Sequence, residues 1–321
     1  MKNILITLAV FLTISSCQKL EDIFPSQNSS TEKISIQSGI TSNFNQWLND
    51  HGYAAYDFAQ YSLNGGSFGG KQNDNDILVN EPVIFIHGNS DKALGTVTGQ
   101  TGWTSSIKYF LANGYKESEL YAITWGPADA AQAANQYHSR EYLTRIRMFI
   151  KAVLEYTGAS KVDIVCHSMG VTLCRKAIKG GNAYDQNAGG NYSLGSALTK
   201  YIDTFVGIAG ANYGLVSCEF SNTLTCDQTN GFFPGYSSSN YSDFLEDLNS
   251  SSHYEGNYVY SIWSSVDEVI GYSCIVYGRN TCEIAKQDGE KYFSSYPYGH
   301  FNTKDLTAKY QLSMVKNHVV K

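Results

Sequence analysis

The residues most able to do chemistry in this chain are a serine at a strand-to-helix junction, a late histidine, and a carboxylate between them. The run Val162 to Ile178, VDIVCHSMGVTLCRKAI, reads as an apolar strand turning into a helix, with Ser168 at the junction. A nucleophile on such an elbow is forced into a strained backbone conformation. Its neighbours two residues away must then be small, which is the physical content of the pattern G-x-S-x-G. Gly170 meets the requirement on the helix side, while Cys166 stands where the pattern has its first glycine. Cysteine is among the smaller side chains, so the departure keeps the steric reason for the motif. Cys166 is also the rival nucleophile, but it follows Val-Asp-Ile-Val in a buried strand, and apolar burial raises a thiol pKa. Ser168 is the expected nucleophile.

A serine hydroxyl is a poor nucleophile near neutral pH. It needs a base, and the base needs an orienting carboxylate. Behind an elbow of this kind the partners follow in the order Ser, Asp or Glu, His. Downstream of Ser168 stand His253, His300 and His318. His253 precedes the strand-like YVYSIWS and would break that order, and His318 falls in a terminal helix. His300, in SSYPYGHFNTKD, sits in a loop between the last strand and the last helix, where the base belongs. For the acid, IWSSVDEVIGY puts Asp267 just past a strand end with Glu268 next to it. Successive side chains diverge there, so only one faces the histidine, and the spacing favours Asp267. Acyl transfer also needs two backbone N–H groups where negative charge develops. One is expected from Met169, directly after the serine. The other is expected from the loop IFIHGNSDKAL, where His87-Gly88 turns the chain and Asn89 follows.

These residues need a scaffold. PVIFIHG, LYAITWG, KVDIVCH, YIDTFVGIAG and NYVYSIWS are short runs of the kind buried parallel strands show, and EKYFSSYP reads as a sixth. Between them lie helical patterns: SNFNQWLNDHGY, TGWTSSIKYFLANGY, Tyr137 to Tyr156, Gly170 to Lys179, and a closing helix from Lys304 to Val320. Strands alternating with helices predict a mostly parallel sheet with helices on both faces, and hence an α/β fold. Gly65 to Lys71 match G-x-x-x-x-G-K, but Gln72 stands where Ser or Thr belongs and no apolar strand precedes the run. It reads as a surface loop, not a phosphate loop. Residues 211 to 256 read as irregular and polar.

With 29 acidic against 23 basic residues and a net charge of -6, no basic stripe is available for nucleic acid. Lys2 followed by an apolar run from Ile4 to Ile14 suits a secretory leader over residues 1–16, being shorter than the roughly 20 residues a membrane span needs. Residues 17–34 read as a solvated linker and 35–321 as one catalytic domain. Ile14-Ser15-Ser16-Cys17 fits a bacterial lipobox and Ser15-x-Cys17 fits ordinary cleavage, which leaves membrane anchoring through Cys17 and simple secretion both open. Cys218 with Cys226 and Cys274 with Cys282 would close two small rings, each contributing roughly 2.5 kcal/mol in the chain-entropy model. Cys166 and Cys174 are expected to be inert core thiols.

PVIFIHGNSDKAL, LYAITWG, VDIVCHSMG, GIAGANYG, YSIWSSVDEVIGY and the late His300 together resemble the class 2 triacylglycerol lipases, over roughly residues 36 to 321. The resemblance implies an α/β-hydrolase fold and secreted lipase or carboxylesterase activity through Ser168, Asp267 and His300. It also implies Asn89 and Met169 as oxyanion donors, a lipid or small ester substrate, and neither metal nor cofactor. The rival class is a non-catalytic surface protein on the same fold, and the triad chemistry would also serve amides. No long amphipathic lid helix is visible between Ala211 and Glu255, which predicts a fairly open site.

Overall fold

The computed structural model describes residues 34–237 and 240–321. The leader, Cys17 and nearly all of the linker lie outside the described residues. The central sheet has eight strands: β1 (Gly39–Ile40), β2 (Ser67–Gly69), β3 (Val83–Ile86), β4 (Leu120–Ile123), β5 (Val162–His167), β6 (Ile202–Ile208), β7 (Tyr258–Ser264) and β8 (Gly289–Phe293). Their spatial order is β1-β2-β4-β3-β5-β6-β7-β8. Every neighbouring pair is parallel except β2 with β4. The helices are α1 (Ser42–Asp50), α2 (Thr104–Ala112), α3 (Arg140–Thr157), α4 (Met169–Lys179), α5 (Asp243–Asn249), α6 (His300–Asp305) and α7 (Ala308–Asn317).

Strand alternation sorts the core into two layers. Ile84, Ile86, Ile164 and Cys166 face α1, α3 and α4, whereas Val83, Phe85, Val165 and Val206 face α2 and α7. α3 buries Leu143, Ile146, Phe149, Ile150 and Val153 at helical spacing. Its Ser139 hydroxyl accepts from Tyr142 N at 3.2 Å and Gly158 ends it at a φ of 69°. Emptying one such position, as in Phe149→Ala, costs about 3–5 kcal/mol. α4 is buried from Met169 through Ile178, so the helix behind Ser168 is clamped on all sides.

Two expectations need correction. The glycine-rich stretch is not a surface loop: residues 65–70 are buried and contribute β2. A side chain at Gly69 would come 2.2 Å from Leu120 O, so glycine lets β2 lie against β4. The closing helix begins at His300 itself and is broken at Leu306-Thr307 into α6 and α7.

Candidate active site

Ser168 leaves β5 with φ 53° and ψ −128°, a region costing a non-glycine residue of the order of 1–3 kcal/mol. Neighbouring strands and loops hold it there. Its N–H donates to Ile208 O at 2.8 Å and its carbonyl accepts from Val171 N at 3.0 Å. A Cβ at Gly170 would lie 2.4 Å from His87 O, and one at Gly88 2.8 Å from Ser168 Cβ. Both glycines therefore allow the loop after β3 to close on the elbow. Cys166 is fully buried with its thiol pushed well up, chiefly by that burial, so it stays protonated. The Ser168 hydroxyl has no hydrogen-bond partner among the described residues. Hydrogen bonds of this kind are often loose without substrate and tighten around it.

Asp267 lies just beyond the end of β7, with one carboxylate oxygen held by Val269 N (2.9 Å) and Ile270 N (2.8 Å). Its other oxygen meets His300 Nδ1 at 2.8 Å, and both side chains are buried. A carboxylate so placed keeps the proton on Nδ1 and leaves Nε2 free to take another. His300 is the first residue of α6, not part of the preceding loop. Its N–H donates to Glu268 Oε2 at 3.0 Å, and its carbonyl accepts from His167 Nε2 at 3.2 Å. The His167 and His300 rings lie 4.6 Å apart, so the histidine stands beside the residue preceding the serine. Asp267 and Glu268 thus both reach His300, one at the ring and one at the backbone, although their side chains diverge.

The loop after β3 is braced from below. Burial holds the His87 imidazole down to about 4, hence neutral at pH 7. It donates from Nδ1 to Gly88 O (2.6 Å), accepts at Nε2 from Trp125 N (3.1 Å), and stacks on the indole. Farther along the loop, Asp91 Oδ1 accepts from Lys92 N and Gly102 N, while Oδ2 accepts from the buried Lys304 ammonium at 2.9 Å. Lys304 is on α6, so the helix bearing His300 is tied directly to the loop bearing Asn89. The backbone N–H groups of Asn89 and Met169 have no partner among the described residues. The Asn89 side chain is occupied, donating to Ala133 O at 2.9 Å.

With Ser168, Met169, Asn89, Asp267 and His300 all following the carboxyl ends of strands in one mostly parallel sheet, likeness to known proteins becomes informative. A family model for class 2 lipases matches residues 80–313. The chain belongs to the class 2 lipase family. The lipase B structure from Aspergillus fumigatus is 13% identical, covers 81% of this chain and 58% of its own, and superposes with a TM-score of 0.50. This class 2 lipase therefore spans under two thirds of that protein's length. Bacillus licheniformis lipase BlEst2 in its mature form is 14% identical over 77% of this chain and 96% of its own, with a TM-score of 0.46. At such identity the Aspergillus likeness speaks to the fold alone, and that fold is the α/β-hydrolase.

The other downstream histidines lie elsewhere in this class 2 lipase. His253 pairs with Asp288 at 2.9 Å, and His318 with Asp203 at 3.0 Å. Glu81, Asp163 and Asp203 converge at the opposite, amino-terminal ends of the strands, where Asp203 already takes Lys161 at 2.8 Å. Disulfides join Cys218 to Cys226 and Cys274 to Cys282, and Cys166 and Cys174 are free and buried, as expected. The site is more enclosed than expected, since Ser168 is 9% and His300 3% exposed. Sequence reading missed Asp91, Lys304 and the backbone grip of Glu268. The first two are 213 residues apart and leave no local pattern.

Proposed function

We propose that this class 2 lipase hydrolyses carboxylic ester bonds of triacylglycerol-type lipids through a Ser168-His300-Asp267 triad and an acyl-enzyme. The observation that carries the reading is a strained Ser168 elbow whose preceding residue, His167, lies 4.6 Å ring to ring from an imidazole held at Nδ1 by a buried carboxylate. Ser168 Oγ attacks the ester carbonyl carbon as its proton passes to His300 Nε2. The carbonyl oxygen becomes an oxyanion facing the N–H groups of Asn89 and Met169. Collapse breaks the ester C–O bond, and His300 returns the proton to the leaving alkoxide. Water then attacks the acyl-enzyme by the same route, releasing the fatty acid and restoring the serine. Asp267 stays ionised throughout and stabilises the imidazolium.

Residues 1–16 serve as an export leader and 17–34 as a linker to the catalytic domain 35–321 in this reading. Two disulfides support an oxidising destination. Among the described residues no helix is long and apolar enough to cross a membrane. Ser168→Ala should lower turnover on soluble p-nitrophenyl esters by on the order of 10³ to 10⁶. A fluorophosphonate probe should label the wild type on Ser168. Labelling at another residue, or activity surviving the substitution, would remove Ser168 from the role.

A further inference from the structure

The triad as usually drawn fixes the base only through its ring, yet here the backbone of His300 is held at both ends. We propose that Glu268 is a positioning residue for the base, a role that rests on the triad reading above. As the first residue of α6, His300 carries one of the N–H groups that a helix leaves without an internal partner. The N-cap residue, Gly299, has no side chain, and an N-cap side chain would in any case serve the second or third amide of the helix. Glu268, from the loop after β7, supplies the missing acceptor at 3.0 Å.

Gly299 is part of the same device. A Cβ there would come 2.5 Å from Glu268 Oε2, so a larger residue would push the carboxylate from its present place at the amide. The His300 carbonyl is taken by His167 Nε2 at 3.2 Å. The neighbours in sequence of the acid and of the nucleophile therefore hold the two peptide groups flanking the base. Asp267 alone would leave the imidazole free to swing about its Nδ1 contact as the start of α6 moved. Glu268 removes that freedom by fixing the backbone relative to Asp267, its own neighbour. Asp267 is fully buried while Glu268 is exposed, so losing the Glu268 carboxylate need not disturb the core.

The test compares Glu268→Ala, Glu268→Gln and Ser168→Ala in the full chain on a soluble p-nitrophenyl ester. Glu268→Ala should lower kcat by about tenfold or more while KM stays nearly constant, because a misplaced base acts on the transition state rather than on binding. The rate of fluorophosphonate labelling should fall in step, and the melting temperature should hardly move. Glu268→Gln keeps an acceptor oxygen and should recover most of the rate. Wild-type kcat in Glu268→Ala, or a glutamine variant no better than the alanine one, would overturn the positioning role. Activity surviving in Ser168→Ala would instead overturn the triad, so the two failures are distinguishable.

Discussion

Replacing Lys304 by Met tests whether the ion pair joining the helix of the proposed base, His300, to the loop of Asn89 does more than hold the fold. The Lys304 ammonium donates to Asp91 Oδ2 (2.9 Å), Thr101 Oγ1 (2.9 Å) and Gly102 O (2.5 Å), so all three of its protons are used. Both partners of the ion pair are buried, with side chains 0% and 2% exposed. Removing one member leaves a buried charge uncompensated, at a cost of about 3–5 kcal/mol. With an unfolding entropy of about 0.6 kcal/mol/K for a domain of this size, the melting temperature should drop by about 5–8 °C. Turnover measured well below that temperature should fall too, since Asp91 is two residues from Asn89. A misplacement of about 1 Å at the proposed oxyanion donor is enough for a loss near 10²-fold. Adding Asp91→Leu removes the second charge, and replacing a buried pair by apolar groups is often neutral or stabilising. The double variant should therefore regain its melting temperature but not its kcat. Recovery of both would show that the pair acts on stability alone. A single variant as stable as the wild type would refute the buried-charge reasoning itself.

Asp267→Asn should lower turnover by on the order of 10⁴ by favouring the wrong histidine tautomer, a loss read directly from steady-state rates. An effect smaller than that of Glu268→Ala would exchange the two roles. On a graded series of p-nitrophenyl esters, each added methylene should gain at most about 0.8 kcal/mol until the acyl groove is filled. The rate should cross each substrate's solubility limit without a jump, and a jump there would reveal a moving lid.

The sequence disclosed the parts of the fold whose signal is local. β5 and α4 were legible because an apolar run, a serine and a glycine fall at fixed offsets, and α3 because its apolar residues keep helical spacing. β1 has only two residues and β2 three, too few for any period to show. β2 was hidden further by glycine, which is polar-loop composition in a sequence but close backbone packing in the fold. Ser67 there donates to Ala59 O at 2.7 Å, satisfying a buried hydroxyl within a stretch that reads as solvated. The break between α6 and α7 was illegible because Thr307 does not look like a breaker. Its hydroxyl bonds back to Thr303 O at 2.6 Å, and its φ of −114° lies off the helical value. The long-range ties, Asp91 to Lys304 and Glu268 to His300, depend on which strand ends meet, and only the assembled sheet decides that.

The segment between β6 and β7 explains why no lid helix was visible in the sequence. α5 has seven residues, and its apolar side chains Phe244, Leu245 and Leu248 are buried, so it has no free apolar face to exchange with a lipid surface. Arg175, fully buried on α4, holds these segments. It donates to Glu255 Oε1 at 2.8 Å, to Asn212 Oδ1 at 2.9 Å and to Asn249 Oδ1 at 3.2 Å. Asn212 in turn donates to the carbonyls of Thr281 and Glu283, joining the segment after β6 to the second disulfide ring. On the other flank, the Thr225 hydroxyl in the first ring lies 2.7 Å from Ala133 O and 2.6 Å from Gln136 O, with one proton to share between them. Lifting the segment after β6 would strand a buried guanidinium without its carboxylate, at a cost of the same order as breaking any buried ion pair, about 3–5 kcal/mol. Binding a lipid surface would have to return that energy through newly covered apolar area. The exposed Phe220, at 86%, already offers such area without any movement. Segments held by the buried Arg175 and tied by two disulfide rings argue against a lid that lifts at a lipid surface.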